Sequence, residues 1–252
     1  MKLSSAFGNA SGVHGCTLVT MQVPTTSLDQ SLRVALDPTT SVSALLRVPG
    51  DAIACYVLAH GAGAGMTHPF LQAVSDGLAV RRIATLRYQF PYMERGSSRP
   101  DTPAVAHSAV SAACRTAYDA TSLQLVAGGK SFGGRMTSQA QALSPLPNVT
   151  GLAFLGFPLH APDKPSSERA RHLTDVAVPM LFIQGTRDKL AEYSQMTELV
   201  AELGQTSTLL TIDHADHGFD VLVRSGRKPA EVMAELLAGL AAWITRTIQS
   251  PR

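Results

Sequence analysis

The 252-residue chain has few charged residues, few cysteines and no long apolar run. Its net charge is +2 and it contains no basic block, so nucleic acid is not expected as a partner. No uninterrupted apolar stretch approaches the ~20 residues that span a bilayer, so we expect no membrane partner. The three cysteines are an odd number, and a reduced, cytoplasmic chain is the simplest account.

Motifs that hold metals or nucleotides are also missing. No set of His, Cys, Asp and Glu has metal-ligand spacing, and no metal is expected. The glycine-rich stretch Gly61–Gly65 lacks the G-x-G-x-x-G register because residue 66 is Met, so no cofactor is expected. The chain shows no repeat, low-complexity tract or linker. We therefore expect residues 1–20 to form a loose tail and residues 21–252 a single domain.

Short apolar runs alternate with helix-like runs along most of the chain. Such alternation predicts a mostly parallel, twisted sheet of about eight strands with helices on both faces. Only a turn separates the first two strands, which predicts an antiparallel pair at the sheet edge. The segment Phe157–Val178 interrupts the rhythm but is short, so we expect a small lid or none. The predicted strands are Ser31–Leu36, Ser41–Val48, Ile53–Leu58, Ile83–Tyr88, Leu123–Ala127, Gly151–Leu155, Met180–Gln184 and Thr208–Ile212, and the predicted helices are His68–Val80, Pro103–Ala120, Gly134–Leu143, Glu192–Leu203 and Pro229–Thr247.

The most informative motif is Gly129-Lys130-Ser131-Phe132-Gly133, which lies between a predicted strand and a predicted helix. A serine in G-x-S-x-G on such a turn is the nucleophile elbow of α/β-hydrolases. The glycines are needed because neighbouring elements approach closely there. Two roles remain open for Lys130: it pairs with a substrate carboxylate, or its stem is buried against the elbow.

An acid and a histidine follow in the order of that fold. Asp188 comes just after one predicted strand and His217 after the next, which gives the order Ser, Asp, His. The carboxyl ends of parallel strands share one edge of a sheet, so the three side chains are expected to meet there. His214 competes with His217 for the role of general base, and we favour His217 because Gly218-Phe219 follows it.

The stretch His60–Gly65 predicts an oxyanion hole. Small residues leave backbone N–H groups free to stabilise negative charge on a carbonyl oxygen. We expect the two donors to be the amides of Ala62 and Phe132. His60 is expected to brace this loop through a hydrogen bond, with a role as base as the alternative.

Several stretches resemble the predicted α/β-hydrolases related to dienelactone hydrolases. That group includes the testis-expressed hydrolase-like protein and the third regulatory subunit of the non-specific-lethal histone acetyltransferase complex. The resemblance spans about residues 50 to 220 and implies a Ser-His-Asp site, although some members look more like scaffolds than enzymes. The matching stretches are His60–Gly63, Arg87–Met93, Gly128–Arg135, Gly156–His160, Gln184–Asp188 and Asp216-His217.

We therefore expect a serine esterase that forms an acyl-enzyme on a small-molecule ester and works as a monomer or homodimer. A non-catalytic scaffold is one alternative, and an acyltransferase or thioesterase is another. For Arg87 and its aromatic neighbours, the alternative to a pocket role is an arginine paired with a carboxylate that supports the loop. The candidates for the substrate pocket are His60, Met66, Arg87, Tyr88, Tyr92, Phe157 and His160.

Overall fold

A computed structural model describes residues 28–161, 164 and 166–249. Within them lies an eight-stranded sheet in the order β1-β2-β4-β3-β5-β6-β7-β8. Strands β1 and β2 pair antiparallel, as the turn between them predicted. Strand β2 also pairs antiparallel with β4, and the pairings from β4 to β8 are parallel. The strands are β1 Gln30–Ala35, β2 Ser41–Arg47, β3 Ala54–Ala59, β4 Ile83–Tyr88, β5 Leu125–Lys130, β6 Val149–Leu155, β7 Met180–Gly185 and β8 Ser207–Ile212.

Helices cover both faces of this sheet. They are α1 Pro69–Ala79, α2 Pro91–Glu94, α3 Pro103–Thr121, α4 Phe132–Leu143, α5 Tyr193–Leu203 and α6 Pro229–Gln249. Side chains of the fully buried β3 alternate between two apolar clusters, because successive residues of a strand point to opposite faces. Tyr56 and Leu58 pack with residues of α1 and α6, whereas Cys55 and Val57 pack with residues of α3 and α4. The fold is that of an α/β-hydrolase without a lid.

The structure differs from the sequence-based boundaries around the elbow. Strand β5 continues through Gly128 and Gly129 to Lys130, and α4 begins at Phe132 instead of Gly134. Glycine is depleted in strands, which is why the pattern ended this strand too early. The sequence also missed the short helix α2 and the 3₁₀ segment Glu168–Asp175. The predicted tail, residues 1–20, lies outside the described residues.

Candidate active site

Ser131 lies at the sharp turn between β5 and α4, with φ 51° and ψ −114°. Positive φ is strained for a residue with a Cβ, and it lifts the serine side chain above the end of the sheet. Glycines let the turn form: a Cβ at Gly129 would lie 2.2 Å from the carbonyl oxygen of Ala59, and one at Gly133 would lie 2.6 Å from that of His60. The elbow therefore requires glycine on both sides of Ser131.

The three predicted side chains meet at the carboxyl edge of the sheet. The Oγ of Ser131 lies 2.9 Å from Nε2 of His217, and Nδ1 of His217 lies 2.7 Å from Oδ2 of Asp188. The Asp188 side chain is fully buried and also accepts from the Gln184 side chain at 2.6 Å and from the Leu190 amide at 2.8 Å. Since the Asp188 carboxylate accepts the Nδ1–H, the Nε2 lone pair of His217 faces the serine hydroxyl.

His217 occupies a turn held by its neighbours. Oδ1 of Asp216 accepts hydrogen bonds from the amides of Gly218 and Asp220, at 2.8 and 3.0 Å. The ammonium of Lys130 donates to the backbone carbonyl of His217 at 2.5 Å and lies 5.4 Å from the centre of the Phe219 ring. Lys130 is thus buried against the elbow, which was one of the two roles left open.

His214 forms no hydrogen bond with Ser131 among the described residues. It is exposed, and its backbone amide donates to Thr186 Oγ1 at 2.9 Å. Its φ of 63° belongs to the turn that brings the chain back toward His217. Of the two histidines considered from the sequence, His217 is the one within hydrogen-bond distance of Ser131.

Ala62 and Phe132 lie beside Ser131 in one cleft. The first amides of a helix have no intrahelical acceptor, so the Phe132 N–H at the start of α4 is free to bind a ligand. In the described ranges, neither amide donates to a backbone or side-chain acceptor. The loop that carries Ala62 is anchored from below, where the Gly63 amide donates to the Tyr92 hydroxyl at 3.3 Å.

The cleft above Ser131 has a volume of about 380 Å³. It is bounded by the loop His60–Gly65 (predicted to form the oxyanion hole and called the oxyanion loop below), the segment before α3, the first turns of α4, the loop after β6 and the 3₁₀ segment Glu168–Asp175. The lining residues are Ala62, Pro100, Asp101, Pro103, Ser131, Phe132, Arg135, Met136, Pro158, Arg169 and Leu190. Ala62, Ser131 and Phe132 were expected here, and the polar residues Arg135, Arg169 and Asp101 were not.

None of the seven pocket candidates from the sequence lines this cleft. Arg87, Tyr88 and Phe157 are fully buried. The Arg87 guanidinium pairs with Asp29 at 2.5 Å and donates to the Gln72 side chain at 2.7 Å, which is the supporting role considered as the alternative. Strand-end position alone does not say which face a side chain takes, and a pocket role for these residues stays a prediction.

The remaining candidates support the site from beneath. Nδ1 of His60 donates to the Gly61 carbonyl at 2.8 Å, and Nε2 accepts from the Phe90 amide at 3.0 Å, so the ring braces the oxyanion loop. Burial lowers the pKa of His60 to about 4, which keeps the ring neutral. Tyr92 is buried under the same loop. The Met66 carbonyl accepts a hydrogen bond from Arg87. His160 is buried, and its backbone amide donates to the Leu190 carbonyl.

Sequence reasoning missed four polar residues at the site, namely Asp101, Arg135, Arg169 and Gln184. Gln184 is fully buried and joins Asp188 to Phe157. Its side-chain nitrogen donates to Asp188, and its side-chain oxygen accepts a hydrogen bond from the Phe157 amide at 2.9 Å. Its sequence signals were its place at the end of β7, four residues before the acid, and its position in the matching stretch Gln184–Asp188. Arg135 lies one helical turn after Ser131, so its spacing was available as a signal, whereas nothing in the sequence pointed to Arg169.

The serine elbow on an eight-stranded, mostly parallel sheet defines the α/β-hydrolase class. The chain belongs to the alpha/beta hydrolase domain family, whose model matches residues 52–245. It is similar to a dienelactone hydrolase from Anabaena variabilis, with a TM-score of 0.72, 18% identity and coverage of 89% of this chain and 100% of that one. It is also similar to an α/β serine hydrolase without lid from Xanthomonas campestris, with a TM-score of 0.67, 17% identity and coverage of 89% of this chain and 97% of that one. An esterase domain from Rhodothermus marinus is similar with a TM-score of 0.65, 18% identity and coverage of 87% of this chain and 98% of that one.

The described part of the chain has neither a candidate membrane-spanning helix nor a candidate metal cluster. No helix there is long and apolar enough to cross a membrane. The same residues contain no cluster of three or more His, Cys, Asp and Glu that could hold a metal ion. Cys55 and Cys114 are both free and buried.

Proposed function

We propose that the protein is a serine hydrolase that cleaves small carboxylic esters through Ser131, His217 and Asp188. One observation carries the proposal: the hydrogen-bonded series from Ser131 Oγ to His217 (2.9 Å) and from His217 to Asp188 (2.7 Å). These distances are those at which a histidine takes a proton from a serine hydroxyl while a carboxylate fixes its tautomer.

The reaction proceeds by two acyl transfers. Ser131 attacks the ester carbonyl as His217 Nε2 takes the hydroxyl proton, and the imidazolium then gives that proton to the leaving alcohol. Asp188 holds the Nδ1–H and stabilises the imidazolium. The amides of Ala62 and Phe132 bind the oxyanion, and each contributes on the order of 3 kcal/mol in the transition state. Water, deprotonated by His217, then releases the acid from Ser131.

The direct test is the variant Ser131→Ala. It should abolish turnover of 4-nitrophenyl acetate without lowering the melting temperature, because it removes one hydroxyl at an accessible site. Retained activity in this variant would overturn the assignment. Covalent labelling by a fluorophosphonate probe supplies a second test, since a wild-type protein that forms no adduct behaves as a scaffold.

The acceptor of the acyl group is part of the proposal. We propose water as the acceptor because the cleft over Ser131 is open to solvent and no lid covers it in the described part of the chain. A series of 4-nitrophenyl esters and matched thioesters of rising chain length, each with and without an added alcohol, distinguishes hydrolysis from thioesterase or acyltransferase activity. Transfer to the alcohol in preference to water would contradict hydrolysis.

Four further statements belong to the proposal. We propose kinship with the dienelactone-hydrolase-related group named above, on the stretches around Arg87–Met93 and Gly128–Arg135. We also propose a single hydrolase domain over residues 21–252, a cytoplasmic location in which Cys55 and Cys114 stay reduced, and a monomer or homodimer. Light scattering on the purified chain measures the last of these.

A further inference from the structure

Two guanidinium groups line the cleft beside Ser131, and among the described residues neither has a carboxylate partner. Arg135 extends from α4, and Arg169 from the 3₁₀ segment Glu168–Asp175, which packs against α4. Over residues 28–161, 164 and 166–249, neither arginine forms an ion pair. Cationic side chains beside an open cleft bind anions, so these two groups indicate the charge of what enters it.

Arg135 lies one helical turn beyond the serine. Its backbone amide donates to the Ser131 carbonyl at 3.1 Å, and long helical side chains point back toward the helix N-terminus, here toward the serine. Its guanidinium carbon lies 5.9 Å from the centre of the Phe132 ring. Its Nε is buried and has no hydrogen-bond partner among the described residues. A buried donor without an acceptor costs free energy, and a bound anion would satisfy it.

Arg169 lines the same cleft from the 3₁₀ segment next to α4. Its Nη1 donates to the His160 carbonyl at 2.8 Å, which fixes the side chain at the rim. The pKa of Arg135 is lowered, first by burial and then by the charge of Arg169, so the two cations are close enough to repel each other. The fold holds like charges together at this place, and the part of the chain that the structure describes supplies no ion-pair partner for either of them.

Among the described residues, no acidic side chain pairs with either arginine. Asp101 is the acidic side chain of the cleft lining: its Oδ1 pairs with Arg95 at 2.6 Å, and its buried Oδ2 has no hydrogen-bond partner there. His172 donates no charge of its own at neutral pH, since burial and the nearby Arg135 lower its pKa to about 4. Its Nε2 lies 2.8 Å from the Ser138 hydroxyl.

We propose that the site selects esters that carry a carboxylate, which Arg135 and Arg169 bind while Ser131 attacks the ester carbonyl. The inference rests on the proposed function and names its substrate class. A carboxylate fits because its two oxygens match the planar fork of a guanidinium, which a point-charge ammonium does not offer. The anionic group lies on the α4 side of the nucleophile, and the ester carbonyl lies between Ser131 and the amides of Ala62 and Phe132.

Two substrates that differ in one terminal group test the inference. In mono-4-nitrophenyl glutarate the acyl chain ends in a carboxylate, and in 4-nitrophenyl pentanoate a methyl group takes its place. The readout is the ratio of kcat/KM for the anionic ester to that for the neutral ester. Wild type should favour glutarate. Arg169→Gln and Arg135→Gln should each lower the ratio about tenfold or more, the loss expected for a charge-assisted hydrogen bond.

The matched control is Arg171→Gln. Arg171 lies on the same 3₁₀ segment as Arg169, but it is exposed and pairs with Glu168 at 2.5 Å. Arg171→Gln should leave the ratio of the two kcat/KM values as it is in wild type. Arg135→Lys keeps the charge but loses the fork, and should fall between wild type and Arg135→Gln. A ratio unchanged in both glutamine variants overturns the inference, as does a wild type that prefers the neutral ester.

A binding measurement separates this inference from the esterase assignment. In Ser131→Ala, glutarate should bind in a calorimeter, uncharged glutaramide should not, and Arg169→Gln should remove the difference. If wild type hydrolyses neither ester but this binding pattern holds, the anion site stands and the esterase assignment fails. If both esters are hydrolysed and the variants leave the ratio and the binding unchanged, the esterase stands and the anion site fails.

Discussion

The ammonium of Lys130 donates a 2.5 Å hydrogen bond to the backbone carbonyl of His217. Lys130 immediately precedes the proposed nucleophile, so this bond joins the elbow directly to the turn that carries the proposed base. A Cβ at Gly156 would lie 2.9 Å from the same Nζ, so the ammonium packs closely against the backbone of Gly156. The distance between Ser131 and His217 thus depends on a side chain that touches neither of the reacting atoms.

Lys130→Met should reduce kcat with little change in KM. Methionine keeps most of the apolar stem but cannot donate to the His217 carbonyl, so the imidazole loses part of its fixed position over Ser131. A loss of about tenfold in kcat is expected, because small misplacement of a base is costly. Steady-state kinetics on 4-nitrophenyl acetate measure it, with the exposed Lys228→Met as control. Equal kcat in Lys130→Met and wild type would remove Lys130 from a positioning role.

As the pH rises above 8, Lys130 should lower kcat but raise its own contribution to the stability of the fold. Burial lowers its pKa from 10.5 to about 8, with Asp188 and Asp216 opposing the shift. Above pH 8 the folded chain loses the ammonium, so kcat should decline, and Lys130→Met should lack this limb. Between about pH 8 and 10.5 the unfolded chain binds one more proton than the folded chain, so the Lys130 contribution to stability rises with pH. Urea unfolding at pH 7.5 and 9.5 measures that contribution as the difference between wild type and Lys130→Met.

Gly129→Ala should disrupt the elbow. The added Cβ would lie 2.2 Å from the Ala59 carbonyl oxygen, and Gly129 has φ 146°, which an L side chain rarely adopts. We expect a loss of about 3 kcal/mol or more, because backbone atoms of two strands must separate to accept a methyl group. The control Gly50→Ala has open space around its added Cβ. Equal denaturation midpoints for the two variants would contradict the close approach.

Particular residues show how far the sequence reached. The close approach of Ser131, Asp188 and His217 could be predicted from the sequence, because each follows an apolar run and parallel strands end at one edge of a sheet. The pairing of Arg87 with Asp29 was not predictable, because a strand shows alternation but not which face meets a helix. Arg169 was hidden for another reason. It lies in a 3₁₀ segment between β6 and β7 whose path depends on contacts with α4, and no local pattern specifies such contacts.

Gln184 should matter both to the acid and to the fold. Its amide donates to Asp188 at 2.6 Å and accepts from the Phe157 amide at 2.9 Å, all within the core. Gln184→Leu keeps the volume and leaves the Phe157 amide buried without an acceptor, which costs about 1–3 kcal/mol. Asp188 loses one of its three donors, so kcat should fall as well. Urea unfolding and steady-state kinetics measure the two losses, with exposed Gln205→Leu as control. Loss of stability at unchanged kcat would confine Gln184 to the fold.

The buried ring of His60 should make the fold sensitive to mild acid. Its pKa falls from 6.5 in the unfolded chain to about 4 in the folded one, because burial opposes the charged form. Between these values the unfolded chain binds a proton that the folded chain does not, so acid favours unfolding. The His60 contribution is complete above pH 6.5 and is lost toward pH 4, a change of roughly 3 kcal/mol. His60→Gln keeps an amide donor and acceptor without titrating, so its unfolding free energy should vary less over this range than that of wild type. The exposed His214→Gln should follow the wild-type curve. Parallel curves for His60→Gln and wild type would mean that another group causes the acid sensitivity.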